Sequence, residues 1–203
     1  MKNKFLLSFT LLLFVILGCN EKNKHVEPLK VYNPADEITQ TIENTEAEIF
    51  YELAMDQYEN RNYNTATNLL KSSLALERNP ITYNQLGLIS KTLKNFDEAI
   101  EYHKSGQVID STYVINFINE ARILEKLGKF DQAEKALRMA ISNTESDYFK
   151  ANANFYLAIL FFNDRNQCEK SKKHFIKASS LKNDPNLKKY YEKIGNELNK
   201  YCS

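Results

Sequence analysis

Two stretches of this chain spell nearly the same phrase: LKNFDEAIEYHKSG at residues 93–106 and LGKFDQAEKALRMA at residues 127–140. Phe96 aligns with Phe130 and Ala99 with Ala133, at a period of 34. One period earlier, YNTA at residues 63–66 puts Tyr63 and Ala66 in the same register with an offset of 33. A fixed period of this length marks a stacked architecture in which one unit cannot bury its apolar face alone. Upstream of each aromatic stands a small residue in matching register: Ala54, Gly87 and Ala121. Four residues after each alanine come Leu70, His103 and Leu137, and then a second small residue at Ser73, Gly106 and Ala140. Spacings of three and four continue on both sides, so each unit reads as helix, turn, helix. Only 5 Gly and 4 Pro occur in 203 residues, which suits an all-helical chain, since both residues weaken helix interiors.

This pattern resembles the tetratricopeptide repeat, a helix–turn–helix unit of 34 residues. The resemblance covers roughly residues 46–200. It implies an all-α, right-handed superhelix of about four units, at residues 46–79, 80–113, 114–147 and 148–185. Each part of the pattern has a steric reason. Small residues at Ala54, Gly87 and Ala121 let first helices press on their neighbours. The aromatics Tyr63, Phe96 and Phe130 open the second helices, and Ala66, Ala99 and Ala133 sit where paired helices cross. Pro80 closes the first unit, while Ser111 stands near the proline slot of the second and Glu120 replaces an expected leucine in the third. The fourth unit is degenerate. NFYLAILFF (154–162) reads as its first helix, and CEKSKKHFIKASSL (168–181) as its second, after a connection one residue longer. Residues 186–203 place Leu187, Tyr190, Tyr191, Ile194 and Leu198 at helical spacing and read as a capping helix. A plain helical bundle would leave the fixed register of Ala66, Ala99 and Ala133 unexplained.

The N-terminal residues address the compartment. A basic head, Met1 to Lys4, precedes FLLSFTLLLFVILG and Cys19. The apolar run is short for a membrane span, which takes about 20 residues. A basic head, a short apolar core and a small residue before a cut are the parts of a secretory signal. ILGC resembles the lipobox of bacterial lipoproteins, which implies removal of residues 1–18 and lipidation of Cys19. The alternatives are an uncleaved anchor, or an ordinary signal with a chance cysteine. Residues 19–45 then read as a lipidated N-terminus and polar tether. Within them Asn33 and Pro34 suit a helix start, with Ile38, Ile42, Ile49 and Leu53 along one stripe. The expected location is the cell envelope, on the outer membrane of a Gram-negative bacterium, since no aspartate follows Cys19. Loss of Lys2 and Lys4 takes the formal charge from +1 to about −1. That balance carries no nucleic-acid footprint.

In the family the first helix of each pair lines a concave groove. Carried over residue by residue, the groove here is Tyr51, Met55 and Tyr58; then Asn84, Leu88, Lys91 and Thr92; then Ile118, Arg122, Glu125 and Lys126; then Phe155, Ile159 and Phe162. That mixture of anchors and charged clamps suits a partner peptide or helix. Core packing is the competing reading of the same residues, and an aromatic groove for a glycan or small ligand is the alternative function. The repeat also brings Cys202, at the end of the cap, beside Cys168 in the turn of the last unit, so a Cys168–Cys202 disulfide is expected in an exported chain. The sequence has none of the nucleophile-elbow, zincin, phosphate-loop or dinucleotide signatures. Its three histidines are scattered and make no zinc spacing with the cysteines. The chain is therefore read as a non-enzyme with no cofactor and no metal, acting through a protein partner and through a membrane by its N-terminal lipid.

Overall fold

The computed structural model describes residues 41–164 and 167–202. Among these every regular element is helical: α1 Thr45–Glu59, α2 Tyr63–Leu76, α3 Pro80–Thr92, α4 Phe96–Ile109, α5 Ile115–Lys126, α6 Phe130–Ser142, α7 Asp147–Asn163, α8 Cys168–Lys177 and α9 Lys188–Tyr201, with a 3₁₀ turn at Ser179–Asn183. Helices pair as α1 with α2, α3 with α4, α5 with α6 and α7 with α8, and successive pairs stack through α2–α3, α4–α5 and α6–α7. Asn44, Asn79 and Ser146 cap the first helices of three pairs with their side-chain oxygens, and Pro80 takes a first-turn position of α3 where its missing N–H costs nothing.

The expected helix start at Asn33 and Pro34, like Cys19 and Ile38, lies outside the described residues. Within them, Thr41–Asn44 are not helical and α1 begins at Thr45. The stripe running to Leu53 is corrected: Ile42 is buried, but Ile49 and Leu53 are 52% and 47% exposed. The inner face of α1 is set instead by Ala47 and Ala54.

The repeat is written in the backbone as well as in the side chains. Three of the helix–helix turns end their first helix in the same way. Asn62, Asn95 and Lys129 donate their backbone N–H five residues back, to Gln57, Ser90 and Leu124, at 2.8 Å each. Arg61, Lys94 and Gly128 donate three back, to Tyr58, Lys91 and Glu125. These paired bonds form a Schellman motif, which satisfies the orphan carbonyls of a helix end. It needs one left-handed residue, and Arg61, Lys94 and Gly128 have φ of 62°, 66° and 72°. In the fourth turn Gln167 donates six residues back, to Phe161, at 2.9 Å, so that connection is one residue longer.

Ala54, Ala66, Ala99 and Ala133 are completely buried and Ala121 nearly so. Each lies where a larger side chain would hold the helices apart. Gly87 is held to hydrogen for a more specific reason: a Cβ there would lie 2.6 Å from the His103 ring of α4.

The last unit departs from its expected length. The second helix was expected to run to Leu181, yet α8 stops at Lys177. The Ala178 N–H is shared between the His174 and Phe175 carbonyls, and the chain tightens into the 3₁₀ turn. Leu181 is still buried there. α9 then lays Tyr190 and Tyr191 against Phe155, ring centroids 5.2 and 5.7 Å apart, and stacks Tyr191 on Phe175 at 4.2 Å. Cys168 and Cys202 are joined in a disulfide with Cα atoms 5.3 Å apart, and Lys172 donates to the Cys202 carbonyl. Closing a loop of sequence separation 34 contributes about 3–4 kcal/mol in the chain-entropy view.

The left-handed turns separate two substitutions of opposite sign. Gly128→Ala should destabilise by about 1 kcal/mol, while Lys94→Gly should be neutral or stabilising, because only the second relieves a left-handed L-residue. Urea unfolding midpoints of the two variants check this.

Candidate functional site

The face formed by the first helices divides into a closed half and an open half. α5 is buried on every side from Ile115 to Glu125, although it carries Asn116, Asn119, Glu120, Arg122 and Glu125. Each of these residues makes at least one hydrogen bond within the protein. Asn119 Nδ2 donates to Asn84 Oδ1 at 2.9 Å, and Arg122 Nη1 to Asn119 Oδ1 at 3.3 Å. The Arg122 guanidinium lies over the Tyr156 ring, 5.2 Å from its centroid. Gln107 donates to Glu120 at 2.6 Å, and Asn163 to Glu125 at 2.8 Å. Hydrogen bonds of this kind offset much of the cost of burying polar groups.

Several groove assignments are corrected by this packing. Asn84, Ile118, Arg122 and Glu125 are buried at the contacts between first helices. Phe155 and Ile159 are core residues, Phe155 lying under α9. Phe162 is half-buried beside the Tyr201 ring, and Lys126 is exposed, with its ammonium over the Phe96 ring at 5.1 Å. Thr92 is exposed but bonds back to the Leu88 carbonyl.

Tyr51, Met55, Tyr58, Leu88 and Lys91 remain half-buried on α1 and α3. Tyr51, Met55 and Tyr58 pack against a small core of Ala54, Ala66, Leu70, Leu86 and Ile89, separate from the main one. Tyr58 meets Tyr63 in a tilted pair, 5.7 Å between centroids. The structure thus groups these five of the expected residues on two adjacent helices and withdraws Asn84, Ile118 and Arg122 into the interior. Lys91 stands at the border between the halves. Burial, then the Arg122 and Lys126 charges, lowers its ammonium to about 8.

Beneath this face lies a network of which the sequence shows only a histidine at a repeat position shared with Leu70 and Leu137. His103 is completely buried. Its Nδ1 is 3.0 Å from Asn116 Oδ1, while Asn116 Nδ2 donates to the Pro80 carbonyl at 3.1 Å. A carbonyl oxygen only accepts, so Nδ1 carries a proton, and full burial with no partner at Nε2 keeps the ring neutral. Nε2 then faces Gly87 without a partner. Burial drives the His103 pKa down to about 4, with Lys91 and Arg122 adding to it against the opposing Asn116 bond. His174 repeats the arrangement with Asn154 Oδ1 at 2.8 Å and is also lowered to about 4, again mainly by burial. Among the described residues no group of three His, Cys, Asp or Glu is placed to hold a metal ion, and no helix is long and apolar enough to cross a membrane.

The stacked arrangement is shared with solved structures. MamA, residues 41 to the end, from Desulfovibrio magneticus RS-1, superimposes with a TM-score of 0.58 at 14% identity, over 78% of this chain and 96% of that one. YrrB, described as a TPR protein with an unusual peptide-binding site, gives 0.57 at 17% identity, over 72% and 74%. The Cut9–Hcn1 hetero-tetramer of APC/C gives 0.61 at 17% identity, over 75% of this chain and 29% of that one. No family model matches the chain, and neither does any curated protein sequence. The fold is the tetratricopeptide-repeat superhelix.

The neutral histidine gives the stability a pH signature. The unfolded chain protonates His103 near 6.5 and the folded one only near 4. Its contribution is therefore complete above pH 6.5 and is lost as pH falls toward 4, by roughly 3 kcal/mol at a fully buried site. Unfolding midpoints from pH 7 to 4 should fall less steeply for His103→Met than for the unaltered protein.

Proposed function

We propose that this protein is a lipid-anchored scaffold of the bacterial envelope that holds a partner peptide or helix on the open half of its first-helix face. The observation that carries this reading is that Tyr51, Met55 and Tyr58 of α1 and Leu88 and Lys91 of α3 all remain half-buried. Large amphipathic side chains at partial burial supply contact area at low entropic cost, and a cation beside them fixes the register of an acidic group. The printed description of YrrB as peptide-binding is consistent with this use of the fold. The Cys19 motif supports anchoring at the outer membrane.

Lys91 narrows the chemistry of the partner. It has two cationic neighbours, Arg122 and Lys126, and no hydrogen bond or ion pair to an anion. A carboxylate from the partner would relieve that repulsion. The partner segment is therefore read as an apolar side chain followed by Asp, Glu or a chain terminus.

Two measurements test the reading. An acidic–apolar peptide from a candidate partner should bind with an affinity that falls up to tenfold per unit of pH above about 8, as Lys91 loses its proton. Lys91→Met should weaken binding about 10–100-fold and abolish that slope, the worth of one charge-assisted contact. Binding unchanged by Lys91→Met would rule out the site, and retention of glycan with no peptide would favour an aromatic sugar platform instead. Metabolic labelling with a fatty-acid analogue should mark the protein and fail on Cys19→Ser; labelling of the variant would rule out the anchor.

A further inference from the structure

The last helix is tied to the stack at both of its ends, in two different ways. At its start Asp184 Oδ1 accepts from the Asn186 and Leu187 backbone N–H groups at 2.8 Å each, and the Lys188 N–H reaches the Asp184 carbonyl at 2.8 Å. This end is a local turn. At the other end the tie is the Cys168–Cys202 disulfide. Between the two, α9 packs on α7, α8 and the 3₁₀ turn, burying Tyr190, Ile194 and Leu198. The Tyr190 hydroxyl is buried there with no hydrogen-bond partner among the described residues, which opposes closure. The helix is thus hinged at one end and latched at the other.

The latch carries the features of a labile disulfide. Cys168 is half-buried, so its side of the bond is within reach from solvent, while Cys202 is 7% exposed. Cys168 is also the first residue of α8, where the helix N-terminus stabilises a thiolate. Lys172, one turn further along α8, donates to the Cys202 carbonyl and so places an ammonium group beside the second cysteine. A disulfide whose two thiolates are both stabilised is the more easily reduced, because its reduced form is favoured.

We propose that Cys168–Cys202 is a thiol–disulfide exchange site for a protein dithiol, and that its reduction releases α9. A thiolate of the reductant attacks Cys168 Sγ, on the more exposed residue of the two. The S–S bond breaks and its electron pair leaves on Cys202 Sγ, beside Lys172. The second thiolate of the reductant then attacks the reductant's own sulfur in the mixed disulfide and expels Cys168 as a thiolate at the start of α8. Each protein sulfur ends with a proton, so the protein gains two electrons and two protons, and the dithiol becomes a disulfide. With Cys202 free, α9 opens about the Asp184 turn and uncovers Phe155 and Phe175, which adds an aromatic surface to the closed half of the face.

Reduction of the folded, full-length protein in non-ionic detergent is the test. Reduced glutathione, which leaves structural disulfides intact, should open this one without denaturant, read by alkylation of Cys168 and Cys202 and mass spectrometry. Amides of α9 should then exchange about 100–1000-fold faster, as the loop-closure constraint is lost, while those of α1 to α4 are unchanged. Cys202→Ser should show the same fast exchange in α9 with no reductant present. Lys172→Met should slow the reduction about threefold to tenfold, and Lys172→Arg should restore the rate. A disulfide that glutathione opens only once the protein unfolds, or a reduction that leaves α9 exchange unchanged, would overturn the proposal. So would equal or faster reduction of Lys172→Met, which is what a merely structural bond from Lys172 would give.

Discussion

The distance at which paired helices cross sets the rest of this structure. Ala54, Ala66, Ala99 and Ala133 have no exposed surface, and Gly87 cannot carry a methyl group against the His103 ring. Where side chains at the crossing are this small the helices close on each other, and the larger residues, Leu70, His103 and Leu137, then complete the packing around them. The Schellman turns at Arg61, Lys94 and Gly128 repeat the same pair of hydrogen bonds and the same left-handed residue, so one local solution recurs along the stack. Neighbouring units supply what a single unit lacks, as the Asn116 bonds to His103 and to the Pro80 carbonyl illustrate.

That close stacking also creates the functional asymmetry. Toward the C-terminal end the first helices meet so tightly that α5 is enclosed all round, and α9 lays an aromatic face over Phe155. Toward the N-terminal end α1 and α3 share only a small separate core, which leaves Tyr51, Met55, Tyr58 and Leu88 partly open. The groove is thus a place where packing is incomplete, and Lys91 lies at the boundary, held partly out of water by the closed half.

Much of the fold was legible because it depends on short-range pattern. Period, small residues and helix-opening aromatics lie in one sequence line, and the helices begin at Tyr63, Phe96 and Phe130 as that line implies. The third turn announces its left-handed residue with Gly128, whereas Arg61 and Lys94 adopt the same conformation with no compositional sign. The interior of the site was less legible. Asn84 and Asn119 are partners across a separation of 35, and Asn163 reaches Glu125 across 38. Read singly, those residues look like groove or surface groups. The 35-residue step between Asn84 and Asn119, beside a repeat period of 34, is the one signal that could have paired them. The pairing of Cys168 with Cys202 was readable only after the cap had been placed in the stack.

One structure thus holds a closed C-terminal half and an open N-terminal half. Native-state amide hydrogen exchange, resolved by residue, tests it most directly. Amides of α5 and α7 should exchange only through global unfolding, while those of α1 and α2 exchange earlier through local opening of the first pair. Equal protection along all four pairs, or faster exchange in α5 than in α1, would contradict it.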